Sequence, residues 1–113
     1  MRILISIAAV ALAASTVAPA FAADRISDSE LVRASRCLGL AKASSLGEAD
    51  ATALQALVKT QSRGRDPLVQ NRVASAERNA SAQADKAKDD VKASLIAERD
   101  GACKALTSSS GGA

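Results

Sequence analysis

The two cysteines, Cys37 and Cys103, are the residues whose chemistry can be specified most closely. In a small exported chain an even cysteine count favours a disulfide, and residues 1–22 indicate export. A bridge between the two would close a loop of about 67 residues, which the chain-entropy model values at about 4.4 kcal/mol. The C-x-x-C spacing of redox thiols is absent. We therefore expect a structural, intramolecular disulfide, with an intermolecular bridge or a redox-active thiol as the alternatives.

Four basic residues cluster around the expected turn between the second and third helices: Lys59, Arg63, Arg65 and Arg72. As a group they could bind an anion such as phosphate or a lipid head group. The competing interpretation is that Lys59 and Arg63 complement the negative C-terminal end of the second helix, while Arg65 and Arg72 are ordinary solvated charges. Both interpretations stay open for this candidate anion-binding patch.

The acidic residues give a weaker signal. Asp85 and Asp89 are four residues apart in an expected helix, a spacing at which two carboxylates can share a hard cation. Lys86, Lys88 and Lys92 surround them, and positive charge opposes metal binding. No zinc pattern, haem motif or glycine-rich phosphate loop is present, so we expect neither a metal nor a cofactor.

Several residue types that catalysis and stacking depend on are missing. The chain has no His, Trp or Tyr, and its one Phe is Phe21. Without His there is no Ser-His-Asp triad and no ordinary general base near neutral pH. Without aromatic rings, stacking on bases or sugars is lost. The 15 Lys and Arg stand against 12 Asp and Glu, with the signs alternating. We expect neither an enzyme nor a nucleic-acid-binding protein.

The first 22 residues have the order of a signal peptide. Arg2 supplies the positive charge, residues 3–17 form an apolar stretch, and Ala20-Phe21-Ala22 is a small-x-small cleavage site. Cleavage after Ala22 would leave residues 23–113 as the mature protein. We expect that protein to lie in the periplasm of a Gram-negative bacterium, or to be secreted, and not to be an integral membrane protein.

The first helix is predicted from Ser27 to about Ala43. Ser27 and Glu30 form the S-x-x-E capping pattern, and Ile26 can pack on Leu31. Apolar residues share one face at steps of three and four residues, with Cys37 on its flank. Ser45 and Glu48 repeat the capping pattern ahead of a second helix that ends near Ser62, and Gly64 suits a left-handed stop. The apolar face of this second helix is Leu46, Ala53, Leu54, Leu57 and Val58.

A long third helix is predicted over residues 67–100. Asp66 can cap it, Pro67 suits its first position, and no Gly or Pro follows before Gly101. Helix resumes to Leu106, and the Ser- and Gly-rich residues 107–113 are expected to be a flexible tail. The third helix carries a stripe of small residues in helical phase, which either lets another helix approach closely or crosses solvent with little packing: Val69, Val73, Ala76, Ala80, Ala84, Ala87, Val91 and Leu95.

These elements predict an all-α fold: a small bundle of three helices over residues 23–106, with a short fourth helix as the alternative. A straight helix over residues 67–106 would be about 60 Å long, whereas a disulfide needs its Cα atoms within about 7 Å. The long helix must therefore bend, or the first helix must dock high on it, or the bridge must join two chains.

The layout of a few helices held by one disulfide resembles the small helical periplasmic acid-stress chaperones. No motif of theirs maps onto this chain residue by residue, so their activity is not carried over. Our first hypothesis is a non-enzymatic interaction protein of the cell envelope, which binds a protein partner or itself through the small-residue stripe and the Leu faces. The alternatives are a stress-linked holdase, and a protein that binds anionic envelope lipids through the basic turn.

Overall fold

The computed structural model describes residues 25–111, with the side chains of residues 25–108. Over this range the chain forms α-helices and no strand, so the predicted all-α fold is confirmed. The predicted signal peptide, residues 1–22, lies outside the described residues. The helices are α1 (Asp28–Lys42), α2 (Thr52–Ser62), α3 (Pro67–Lys86), α4 (Asp89–Asp100) and α5 (Ala102–Gly111), with a 3₁₀ turn at Ser44–Leu46.

Helix α1 begins and ends where its local signals indicate. The side chain of Ser27 accepts a hydrogen bond from the backbone N–H of Glu30, with a distance of 3.1 Å between nitrogen and Oγ. That bond satisfies one of the free donors of the first turn, and the carboxylates of Asp28 and Glu30 stand at the positive end of the helix. The helix ends at Lys42, within a residue of the predicted end.

The predicted start of the second helix was wrong. Ser45 does not cap it, since residues 44–46 form the 3₁₀ turn and the Ser45 hydroxyl donates to Asp85 across 3.2 Å. The helix begins at Thr52, whose backbone N–H donates to the Asp50 carboxylate across 3.0 Å. This hydrogen bond lowers the pKa of Asp50 below its ordinary value. Gly64, with φ of +73°, follows the helix in the left-handed conformation that was expected.

The predicted continuous helix over residues 67–100 is two helices. Asp66 caps α3 as expected, accepting the N–H of Leu68 at 2.8 Å, but α3 ends at Lys86. Ala87 and Lys88 are extended, with ψ of 139° and 150°, and Asp89, the first residue of α4, has a positive φ of 40°. A left-handed residue other than Gly costs about 1 kcal/mol, so packing elsewhere must offset the break.

Helices α1, α2 and α3 run up, down and up. The end of α2 meets the start of α1, because the backbone N–H of Ile26 donates to Gln61 across 3.2 Å. Helices α1 and α3 are parallel and neighbours. The Ser35 hydroxyl donates to the Val73 carbonyl and, one turn further along α1 and two turns further along α3, Ser81 donates to the carbonyl of Gly39 at 3.1 Å.

The close packing of α1 on α3 depends on Gly39. A Cβ atom at this position would lie 2.3 Å from the carbonyl oxygen of Glu77 and 2.9 Å from Cβ of Ala80. Ala80 and Ala84 are fully buried at this seam. The small-residue stripe therefore does let another helix approach closely, and that helix is α1 of the same chain. Val91 lies outside the seam, half exposed, because the break turns α4 away.

The break also brings the cysteines together. Cys37 and Cys103 form a disulfide within the chain, with their Cα atoms 5.4 Å apart, as predicted. Both cysteines are buried in the core, close to Leu31, Leu38 and Leu95 in the same apolar cluster. The sequence left three arrangements open, and the structure has the one in which the long helix bends.

Helix α5 continues to Gly111, beyond the end predicted at Leu106. The hydroxyl groups of Thr107 and Ser108 donate to the carbonyl of Lys104 at 3.0 and 3.1 Å. Bonds from Thr and Ser hydroxyls back to the preceding turn are one way in which these side chains are accommodated inside a helix. The described part of the segment predicted as a tail is thus helical.

Candidate functional site

Two of the four predicted basic residues share a groove. Lys59 and Arg63 lie one turn apart at the end of α2 and are both exposed. They border an open groove of about 470 Å³, here called the α2–α3 groove, lined by Ser35, Val58, Lys59, Ser62, Arg63, Gln70, Val73, Ala74 and Glu77. Its floor is apolar and its basic edge is formed by these two residues.

Arg65 has a structural role instead. Its side chain is only 6% exposed and forms an ion pair with Asp28 at 2.7 Å. Its other N–H groups donate to the carbonyl oxygens of Ile26 and Gln61, each at 2.7 Å. These bonds join the entry of α1 to the end of α2. The prediction that Arg65 belongs to a solvent-facing basic patch, or is an ordinary solvated charge, was therefore wrong.

Arg72 lies in a different groove, on the seam between α1 and α3. This second groove, the α1–α3 groove, has a volume of about 360 Å³ and is lined by Val32, Leu68, Asn71, Arg72, Ser75, Ala76 and Asn79. The four predicted basic residues thus do not form one patch: two share the α2–α3 groove, one is buried, and one faces the α1–α3 groove.

The α1–α3 groove was not predicted from the sequence. Leu68 is 62% exposed there and lies with the half-buried Val32 and Ala76, so the groove presents three apolar side chains. The amides of Asn71 and Asn79 lie two turns apart along the same helix face. The available signal was the spacing of Leu68, Arg72, Ser75 and Asn79 along α3, which places them beside, and not on, the small-residue stripe.

An ion pair lies beside the disulfide. The guanidinium of Arg36 contacts both carboxylate oxygens of Glu98, at 2.8 and 2.9 Å, and also donates to Gln83 at 3.0 Å. Hydrogen bonding to Arg36 lowers the pKa of Glu98, and the same bond raises the pKa of Arg36. The pair connects α1, α3 and α4 around the bridge.

A carboxylate oxygen of Glu98 and the two cysteine sulfurs lie within 4.8 Å of one another. Thiolate sulfur and carboxylate oxygen are ligands for zinc, but here the sulfurs are bonded to each other at 2.07 Å. In this disulfide form the group is an intramolecular bridge and offers no thiolate.

The acidic pair considered for a cation is separated by the break. Asp85 belongs to α3 and accepts the Ser45 hydroxyl, whereas Asp89 begins α4.

The side chain of Arg99, only 10% exposed, forms an ion pair with Asp100 at 2.9 Å and donates to the carbonyl of Leu46 at 2.8 Å. The bond to Leu46 holds α4 to the 3₁₀ turn.

Comparison with protein-family models, curated proteins and solved structures finds no match. The interpretation of the two grooves therefore depends on their own geometry. Among residues 25–111, no helix is both long enough and apolar enough to cross a membrane.

Proposed function

We propose that this chain is a non-enzymatic interaction protein of the bacterial cell envelope, with the α1–α3 groove as its contact surface. The observation that carries the proposal is the apolar surface of this groove, where Leu68, 62% exposed, lies with the half-buried Val32 and Ala76 among polar side chains. Exposed apolar surface with a polar rim is typical of protein interaction sites.

The composition of the groove suits a polypeptide partner. Leu68, Val32 and Ala76 offer apolar contact, and the amides of Asn71 and Asn79 can each donate to and accept from a partner's backbone. The surface differs from the one expected from the sequence: Ala80 and Ala84 of the small-residue stripe are buried within the chain, so the contact surface keeps Ala76 of the stripe and extends along its flank.

Export is the second part of the proposal. It is supported by the order of charge, apolar stretch and small-x-small site in the first 22 residues, and by the disulfide, since such bridges persist mainly in oxidising compartments. The intact mass of protein recovered from the periplasm tests it. A chain beginning at Ala23, and about 2 Da lighter before reduction, is expected. A periplasmic chain that still begins at Met1 would refute cleavage after Ala22, and a chain found only in the cytoplasm would refute export.

Site-specific photo-cross-linking in living cells tests the contact surface. We propose Leu68→p-benzoylphenylalanine as the probe and Val91→p-benzoylphenylalanine as the matched control. These two positions are the exposed large apolar residues of the described chain, and only Leu68 lines the groove. Discrete adducts from position 68 that are absent at position 91 are expected. Equal adducts from both, or none from position 68, would refute the groove as a contact surface.

A further inference from the structure

The α2–α3 groove shares no lining residue with the proposed contact surface, and both of its hydroxyl groups donate within the chain. Ser35 donates its hydroxyl hydrogen to the Val73 carbonyl, and Ser62 donates to the Val58 carbonyl. The amide of Gln70 donates to the carbonyl of Ser62 at 3.1 Å. The hydroxyl donors of the lining are thus already used within the chain.

The strongest donors facing this groove are cations. Lys59 and Arg63 carry three and five N–H donors and no acceptor. Within the described residues, neither side chain has an ion-pair partner. Glu77 is the acidic residue of the lining, and its carboxylate is paired with Lys42 at 3.3 Å. The chemistry left open at this edge is therefore the binding of an anion.

The two cations also repel each other. At a spacing of four residues on one helix, their Cβ atoms lie about 6 Å apart, and like charges on such a pair destabilise the helix slightly. The negative end of α2 offsets part of this repulsion. Arg25 adds a third cation to the same end of the molecule, because its guanidinium reaches the carbonyl of Arg63 at 3.5 Å. An anionic partner would relieve the remaining repulsion among the three.

The floor of the groove distinguishes between anions. Val58, Val73 and Ala74 form an apolar surface next to the two cations. A free phosphate ion has no apolar part to place there, whereas a phospholipid has the glycerol and the first carbons of its acyl chains. We propose that the α2–α3 groove binds the head group of an anionic phospholipid at a membrane surface, with Lys59 and Arg63 on the phosphate.

Vesicle binding by the disulfide-bonded protein tests this proposal. The probes are vesicles of phosphatidylglycerol mixed with phosphatidylcholine, and vesicles of phosphatidylcholine alone. Each cation near an anionic surface contributes about fivefold to the partition coefficient, so Lys59→Ala with Arg63→Ala should lower the coefficient about 25-fold. Binding should also weaken as the ionic strength rises from about 0.01 M to about 0.15 M, because the Debye length falls from about 30 Å to about 8 Å.

The matched control is Lys88→Ala with Lys92→Ala. These two lysines have the same charge and the same four-residue spacing, are exposed, and lie outside the groove. Their removal should change binding less than about threefold if the groove determines it. A charge-preserving variant, Lys59→Arg with Arg63→Lys, should bind within about twofold of the wild type, and circular dichroism should show unchanged helix content in all variants.

Three results would overturn the proposal. An equal loss in the Lys88 and Lys92 variant would mean that net charge alone drives binding. Equal binding to phosphatidylcholine vesicles would mean that no anion is recognised. Displacement by inorganic phosphate, at matched ionic strength, would assign the groove to a free anion instead of a lipid.

Discussion

Replacing Gly39 with Ala tests the closest approach in the molecule. The added Cβ would lie 2.3 Å from the Glu77 carbonyl oxygen and 2.9 Å from Cβ of Ala80. The nearest of these atoms belongs to the backbone of α3, so no side-chain rotation can move it away. Carbon and oxygen atoms ordinarily pack at about 3.3 Å or more. Helices α1 and α3 would therefore have to separate by about 1 Å at this point.

The size of the effect follows from two opposing contributions. Forcing extra atoms into a packed core costs about 1–3 kcal/mol, and a backbone contact this short places Gly39→Ala at the upper end, about 3 kcal/mol. In a helix, Ala is favoured over Gly by about 1 kcal/mol, which offsets part of that cost. We expect a net loss of about 2 kcal/mol, which lowers the Tm of a domain of this size by about 8–16 °C.

Urea unfolding of the disulfide-bonded protein, followed by circular dichroism, measures this loss. Gln55→Ala is the control, since Gln55 is exposed on α2 and the change should stay within about 0.5 kcal/mol. If Gly39→Ala is as stable as the wild type, or more stable, the two helices are not in contact at Gly39 and the packing argument fails.

Three further predictions concern the contacts that hold the fold. Changing Cys37 and Cys103 together to Ala should cost about 4 kcal/mol, because the bridge spans 66 residues, and an unchanged urea midpoint would contradict this. The hydrogen bond to Arg36 lowers the pKa of Glu98 in the folded protein. The stability that this bond contributes to the fold is therefore present above the unfolded-state pKa of about 4.3 and is lost as pH falls through the lower folded-state pKa. Glu98→Gln should remove this acid dependence. The free energy of unfolding should fall by less than about 1 kcal/mol, because both side chains are about one-third exposed, and an unaltered pH profile would contradict the prediction. Arg65→Ala should cost about 2–3 kcal/mol in chemical denaturation, since it removes two charge-assisted hydrogen bonds to part-buried carbonyl oxygens, and a loss below about 0.5 kcal/mol would show that those bonds contribute little.

The prediction of the basic patch succeeded only in part, for a geometric reason. Lys59 and Arg63 are four residues apart on one helix, and this spacing alone places them on the same face. Arg65 and Arg72 lie beyond the turn at Gly64, so their directions depend on how α3 leaves it. Arg65 turns inward because Asp28 and the carbonyl oxygen of Ile26, both distant in the sequence, lie beside it at the start of α1. The carbonyl oxygen of Gln61, four residues away at the end of α2, accepts its remaining bond.

The two grooves could not be predicted from the sequence, for a related reason. A groove exists only between elements, so Leu68 and Asn79 become neighbours of Val32 only once α1 docks beside α3. The sequence did single out the small-residue stripe of α3, and the structure buries that stripe against Gly39 instead of leaving it for a partner.

What the sequence by itself determined is local. Ser27, Asp66 and Gly64 mark helix ends because a cap needs only one hydrogen bond within a turn, or one residue with positive φ. The intramolecular disulfide could also be predicted, since two cysteines allow only one pairing within the chain. The tertiary structure alone decided the break at residues 87–88, because no Gly or Pro marks it. It arises there because the bridge and the core require α4 and α5 to return to α1, and that long-range requirement outweighs the local preference for a continuous helix.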